Sequence, residues 1–140
     1  MAERPGIIMC FDYGTQKMGV AVGQRLTCTA TPIAVLRARD GVPDWDQVSG
    51  LIEEWHPVQL LVGLPLNMDG SDSELSKQAE KFSRRLEGRY RLPVDLMDER
   101  LTSFEVRHRQ KESGNSSDEP IDALAAQLIL ESWFAAHPAD

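Results

Sequence analysis

The sequence predicts an α/β fold in which three antiparallel strands and then parallel ones form a mixed five-stranded sheet with helices on both faces. Three observations lead there. Residues 7–36 read as three consecutive strands separated by turn-length gaps. The segments that follow alternate between helical and strand-like spacing, and a strand trio feeding into crossovers makes a layered sheet. The chain has 140 residues, 41% hydrophobic and 26% charged, which suits one core, so residues 1–140 read as a single domain.

Ile7–Tyr13 is a continuous apolar run closing on Asp12-Tyr13-Gly14, the pattern of a buried central strand. Met18–Gly23 reads as its hairpin partner. Thr29–Leu36 is rich in β-branched residues and reads as a third strand, with Pro32 marking an edge or a bulge. Asp44 can cap a helix whose apolar face carries Trp45, Val48, Leu51, Ile52 and Trp55. Gln59–Gly63 is a short buried strand. Ser73–Tyr90 carries a narrow stripe of Leu75, Ala79, Phe82 and Leu86 and reads as a second helix. Val94–Met97 is the fifth strand. Thr102 and Glu105 have capping-box spacing, so a helix is expected to start there. Glu112–Glu119 reads as a polar loop and Pro120–Phe134 as the last helix, proline being tolerated in a first turn. Ribonuclease H-like domains have this arrangement.

Composition removes several function classes. No apolar run approaches the ~20 residues that span a bilayer, so no membrane partner is expected. The opening residues lack the basic start and cleavage site of a signal peptide. Cys10 and Cys28 lie in strand-like segments and read as buried free thiols, which fits a reducing, cytoplasmic setting. No Cys or His spacing suggests zinc. His56, His108 and His137 read as surface residues with no chemical role. The formal net charge of −7 runs against the basic excess usual in nucleic-acid binders. A metal-dependent nuclease, however, gathers acidic groups at its centre, so distribution decides.

Three carboxylates carry the chemistry. Asp12 ends the predicted central strand, where a buried charge needs a metal, a partner or strong hydrogen bonds. It reads either as a metal ligand or as a strand-ending carboxylate taking turn hydrogen bonds. Glu99 follows the fifth strand, and the carboxyl ends of parallel strands gather at one sheet edge. Glu99 could instead pair with Arg100, and Asp98 is a rival for its role. Asp122 shares a helical stripe with Ala126, Ile129 and Trp133, or serves the helix dipole in a first turn. Together, Asp12, Glu99 and Asp122 suit Mg²⁺, or Mn²⁺ in its place. Such ions take oxygen ligands, and a pair ~4 Å apart can cleave a phosphodiester without a cysteine or histidine nucleophile.

Basic residues fall into two groups. Lys77, Lys81, Arg84 and Arg85 lie opposite the stripe of the second helix, with Arg89 and Arg91 following, and read mainly as a solvated face. Arg100, Arg107, Arg109 and Lys111 flank Glu99. Lys17, Arg100 and Arg107 are the expected substrate-binding cations. Asn67 and Asp69 could line the same edge, or serve turn chemistry alone.

Four ordered motifs resemble the YqgF family, also called RuvX. They are Phe11-Asp12-Tyr13-Gly14-Thr15 with Lys17-Met18-Gly19-Val20-Ala21-Val22-Gly23; Val62-Gly63-Leu64-Pro65-Leu66-Asn67-Met68-Asp69-Gly70; Asp98-Glu99-Arg100-Leu101-Thr102-Ser103; and Ile121-Asp122-Ala123-Leu124-Ala125-Ala126. The resemblance covers nearly the whole chain. It implies the resolvase branch of the ribonuclease H-like proteins, with metal-binding catalytic acids at Asp12, Glu99 and Asp122. Its members are described as Holliday-junction resolvases or as nucleases maturing the 5′ end of pre-16S rRNA. One departure stands out: the family usually has basic residues before the last Asp, where this chain has Ser116-Ser117-Asp118-Glu119-Pro120.

The expected function is therefore a Mg²⁺-dependent hydrolase, an endonuclease acting on structured nucleic acid and foremost on precursor rRNA in ribosome biogenesis. The alternatives are a resolvase cutting branched DNA and a non-catalytic nucleic-acid or ribosome-assembly module. A monomer or weak dimer is expected. Asp12-Tyr13-Gly14-Thr15 also resembles the first phosphate loop of actin-like kinases, but those need two such domains.

Overall fold

The computed structural model describes residues 6–65, 67, 69–98 and 118–137; for 118–122 the description covers the helical backbone alone. Within these residues the order is β1 (Ile7–Asp12), β2 (Lys17–Gln24), β3 (Thr29–Arg39), β4 (Val42–Pro43), α1 (Trp45–Trp55), β5 (Gln59–Leu64), α2 (Glu74–Tyr90), β6 (Val94–Asp98) and α3 (Asp118–Ala136). The strands form one sheet in the order β4-β3-β2-β1-β5-β6. The first four pair antiparallel in succession, while β5 runs parallel to β1 and β6 parallel to β5.

The sheet thus has six strands where five were expected. The extra strand pairs Ala38 with Pro43 and Arg39 with Val42 across Asp40-Gly41. Both turn residues have positive φ, 51° and 81°. An Asp-Gly pair with both residues left-handed is a favoured two-residue hairpin turn, because its twist matches that of the strands. The Asp40-Gly41 dipeptide was the signal for this hairpin in the sequence. The same hairpin carries β3 on to Arg39, past the expected end at Leu36. Pro32 does mark a bulge: β3 shifts register between Val20 and Ala21, which pair with Ala34 and Pro32.

Helices cover both faces. On one, Met9 and Phe11 of β1 and Tyr13 just beyond it pack with Leu60 and Val62 under Val48 of α1 and Phe82 and Leu86 of α2. On the other, Ile8, Cys10, Ala21 and Leu61 pack under Ile129, Leu130, Trp133 and Phe134 of α3. The period-two alternation of each strand divides the two cores.

The helices begin where the sequence provides caps. Asp44 accepts the Asp46 amide at 3.0 Å. Ser73 accepts the Ser76 amide at 2.9 Å while the Ser76 hydroxyl accepts the Ser73 amide at 2.8 Å, a reciprocal capping box. The last helix starts at Asp118, ahead of the expected Pro120. The first amides of a helix have no partner within it, so proline costs no hydrogen bond anywhere in that turn. The helix expected from Thr102, and residues 112–117 of the expected loop, lie outside the described residues.

Cys28 departs from its expected burial. It is exposed, in the turn joining β2 to β3, with φ 55°, and only Cys10 is buried. His56 is also exposed, as the left-handed cap ending α1. His137 stacks on Trp133 with ring centroids 4.4 Å apart, and His108 lies outside the described residues. Among the described residues, no helix is long and apolar enough to cross a membrane.

Candidate active site

Asp12 is the last residue of β1, an inner strand held by β2 on one side and β5 on the other. Its side chain is half-buried. The alternation that sends Met9, Phe11 and Tyr13 toward α1 and α2 sends Ile8, Cys10 and Asp12 toward α3.

The residues beside Asp12 on this face are small. Its partner on β2 is Gly19. On β5, Phe11 pairs with Val62, so the next step of the register sets Asp12 beside Gly63, and Gly63 pairs with Met97 of β6. Directly opposed β-carbons on neighbouring strands stand roughly 5 Å apart. A side chain at Gly19 or Gly63 would therefore crowd the Asp12 carboxylate, and the sequence supplies none.

The opposite face at the same edge is filled. The Tyr13 ring packs on Phe82 with centroids 5.3 Å apart, and Phe82 meets Phe11 edge-on at 5.7 Å. The Tyr13 hydroxyl donates to the Gly41 carbonyl at 3.1 Å. Burial raises the pKa of that hydroxyl above its ordinary value, with the Arg85 guanidinium opposing the shift. A β-carbon at Gly41 would strike the Tyr13 hydroxyl, so glycine there serves both the turn and this contact. The end of β1 is thereby tied to the β3–β4 hairpin.

Asp98 ends β6 and pairs with Leu64. Val94, two steps back in the alternation from Leu96, packs on the α2 side, whereas Met97 belongs to the α3 core. Asp98 therefore projects to the α2 side of the pleat, opposite to Asp12. Asp95, on the α3 side, accepts the Trp133 indole N–H at 2.8 Å and fastens α3 to the end strand.

The remaining expected site residues are distributed as follows. Glu99, Arg100 and Arg107 lie outside the described residues, as do Arg109 and Lys111. Asp122 falls in α3, four residues before the buried Ala126, and its side chain is not among those described. Lys17 is exposed at the first position of β2. Lys77, Lys81, Arg84 and Arg85 are exposed on α2, as expected of a solvated face. Asn67 and Asp69 make the bonds of a tight turn: Asp69 accepts the Ser71 amide at 2.9 Å, and Asn67 donates to Asp72 O at 3.1 Å.

Sequence reasoning missed Arg37 and Arg39. They line a groove of ≈ 510 Å³ with Gln16, Lys17, Ala38, Val42, Pro43 and Asp44. The strand alternation does not stop at Leu36 but continues through Arg37, Ala38 and Arg39, and that pattern was the available signal.

Among the described residues, no three His, Cys, Asp or Glu side chains gather to hold a metal ion. Of the expected triad only Asp12 has a described side chain. It offers hard carboxylate oxygens, the donor type Mg²⁺ and Mn²⁺ prefer. With glycine on both neighbouring strands, this part of the site fits such an ion.

The family model for RuvX, described as a Holliday junction resolvase, matches residues 6–136. A protein of Pseudomonas paraeruginosa named "Putative pre-16S rRNA nuclease" is 52% identical over 141 residues, 98% of each chain. One of the same name from Saccharophagus degradans is 46% identical over 134 residues, 94% of each. Among solved structures, Thermus thermophilus RuvC in complex with a Holliday junction superposes with TM-score 0.54 at 15% identity, covering 94% of both chains. The fowlpox virus Holliday junction resolvase gives 0.55 at 14% identity, covering 93% of this chain and 99% of its own. Those two share the fold, and their resolvase architecture is the ribonuclease H-like one expected from the order of elements. A match running from the first strand to the end of the last helix, with relatives near half identity over almost their full lengths, makes this chain a member of the RuvX family.

Proposed function

We propose that the protein is a metal-dependent endonuclease that hydrolyses phosphodiester bonds in structured RNA and matures the 5′ end of precursor 16S rRNA in the cytoplasm. The observation that carries this reading is Asp12, at the end of an inner strand, facing the α3 side between two glycine positions.

Asp12, Glu99 and Asp122 are the proposed catalytic ligands for Mg²⁺, with Mn²⁺ as an alternative. Glu99 is preferred to Asp98 because Asp98 projects to the face of the sheet opposite Asp12. Helical spacing supports Asp122, because position 122 lies in the row of Ala126, Ile129 and Trp133, all buried on the α3 side of the sheet.

Hydrolysis bonds a water oxygen to phosphorus, breaks the bond to the leaving ribose oxygen, and delivers a proton to that oxygen. The divalent ion supplies the charge that activates the water and stabilises the leaving oxygen. The chain's part is to hold hard oxygen ligands at fixed spacing. Strand pairing on both sides of β1 and the Tyr13 tether to the β3–β4 hairpin keep Asp12 in place. Lys17, Arg100 and Arg107 are proposed to neutralise phosphates next to the scissile bond.

The family description favours a second reading, resolution of branched DNA junctions by the same chemistry. Depletion in the native host separates the two. Accumulated unprocessed 16S rRNA, rescued by the unsubstituted gene and not by Asp12→Asn, supports RNA maturation. Normal rRNA with defective recombination would overturn it in favour of junctions.

A further inference from the structure

The groove beside β2, β3 and β4 concentrates positive charge where the fold alone does not require it. Lys17 and Arg37 are directly paired across β2 and β3. Like charges in directly opposed positions weaken a sheet. Arg39 lies two residues further along the same face of β3, and all three side chains are exposed. Among the described residues, neither Arg37 nor Arg39 has an ion-pair partner. Among the described lining residues the one carboxylate, Asp44, caps α1 by accepting the Asp46 amide. Asp40, in the adjoining turn, is exposed as well.

The groove is also held in shape. The Ala38 amide donates to Gln16 O at 2.8 Å and the Gly41 amide to Thr15 O at 3.0 Å. These bonds fasten the hairpin that carries the arginines to the turn that follows Asp12. By alternation Lys17, Arg37 and Arg39 sit opposite Met18, Leu36 and Ala38, which face the α2 core, so the cations share the face of Asp12. Lys17 is one strand over and two residues along from Asp12, which is ~8 Å in sheet geometry, and Arg37 is one strand further, ~12 Å.

We infer that the Lys17–Arg37–Arg39 groove holds the sugar-phosphate backbone of the substrate RNA strand as it leaves the Asp12 edge, through charge and without reading sequence. This deepens the nuclease reading and rests on it. It also accounts for affinity in a chain of net charge −7 that lacks basic residues just before Asp122. The required cations are placed on a rigid hairpin instead. Arginine suits the task because its fork meets phosphate oxygens in pairs.

The test is binding of a fluorescein-labelled single-stranded RNA, followed by anisotropy across a KCl series, in an Asp12→Asn background that prevents cleavage. Replacing Arg37 and Arg39 together by Gln is expected to weaken binding and to lower the slope of log affinity against log salt by ~1.4, about 0.7 for each lost phosphate contact. Arg37→Lys with Arg39→Lys is expected to restore most of the slope, which separates lost charge from lost folding. Lys77→Gln with Lys81→Gln removes equal charge from α2 and is expected to change the slope less. An unchanged slope in the Arg→Gln pair, or a larger drop in the α2 pair, overturns the inference. If the unsubstituted protein still cuts RNA in that case, the nuclease reading survives alone. If it fails to cut while the Arg→Gln slope falls, the groove stands as an RNA-binding track and the nuclease reading is lost.

Discussion

The two faces of the sheet meet at the same edge and are built in opposite ways. Toward α2, the end of β1 is packed with rings: Tyr13 on Phe82, Phe82 on Phe11, and Trp45 stacked on Phe82 at 5.9 Å. Toward α3, the row through Asp12 carries glycine on both neighbouring strands. One face fixes the strand ends with rings, and on the other the two neighbouring strands place no side chain directly beside the carboxylate. The contrast shows how one short strand presents two different surfaces, because alternate residues answer to different neighbours.

The largest stability effect belongs on the packed face. Phe82→Ala is expected to cost about 3–5 kcal/mol, the usual range for emptying a buried aromatic site, as read by urea unfolding. A smaller loss would mean that the ring cluster is not what holds this edge. The glycine-flanked face should respond through activity. Gly63→Val is expected to lower RNA cleavage roughly 10²-fold, because a displacement of a catalytic group by an ångström can cost that much. Circular dichroism should show the fold retained. Equal cleavage by this variant would mean that Asp12 does not need the glycine beside it.

Tyr13→Phe removes the bond to Gly41 and is expected to cost about 1 kcal/mol at neutral pH. The same residue sets a pH dependence. Burial raises its folded-state pKa above the unfolded value of about 10, so the folded state holds its proton longer than the unfolded state. That stabilising contribution is complete below about pH 10 and is lost as pH rises through the folded pKa. Unfolding curves of Tyr13→Phe should therefore show a shallower decline in alkali than the unsubstituted protein. The smallest effect expected is that of Arg89→Ala, where a guanidinium lies 4.1 Å from the Trp45 ring centroid. About 0.5–1 kcal/mol is expected, by thermal or urea unfolding.

Much of this was legible in the sequence, for identifiable reasons. The runs Ile7–Tyr13 and Gln59–Gly63 announce inner strands because both their faces are buried, and neither needs polar alternation. Asp44 and Ser73 announce helix starts by chemistry that acts within a few residues. The sixth strand was hidden because two residues make no periodic pattern, although Asp40-Gly41 named the turn. Arg37 and Arg39 were missed for a related reason: the β-branched run that marks the strand ends at Leu36, and the charged continuation carries no such enrichment. Cys28 looked strand-like because threonines flank it, but a turn exposes it. Asp12 was visible as a charge ending an apolar run. That it faces away from Asp98 depends on the phase of two strands separated by eighty residues of chain, and only the register reveals it.

The proposed nuclease chemistry stands or falls with Asp12 and the α3 side of the pleat. The most direct measurement compares Mg²⁺-dependent cleavage of a 5′-extended 16S rRNA fragment by the unsubstituted protein, Asp12→Asn and Asp98→Asn. Asp12→Asn is expected to lose about 10³-fold, equivalent to roughly 4 kcal/mol of transition-state stabilisation. Asp98→Asn is expected to change cleavage by no more than about threefold, the scale of a substitution outside the site. Retained cleavage in Asp12→Asn, or an equal loss in both variants, would contradict that proposal.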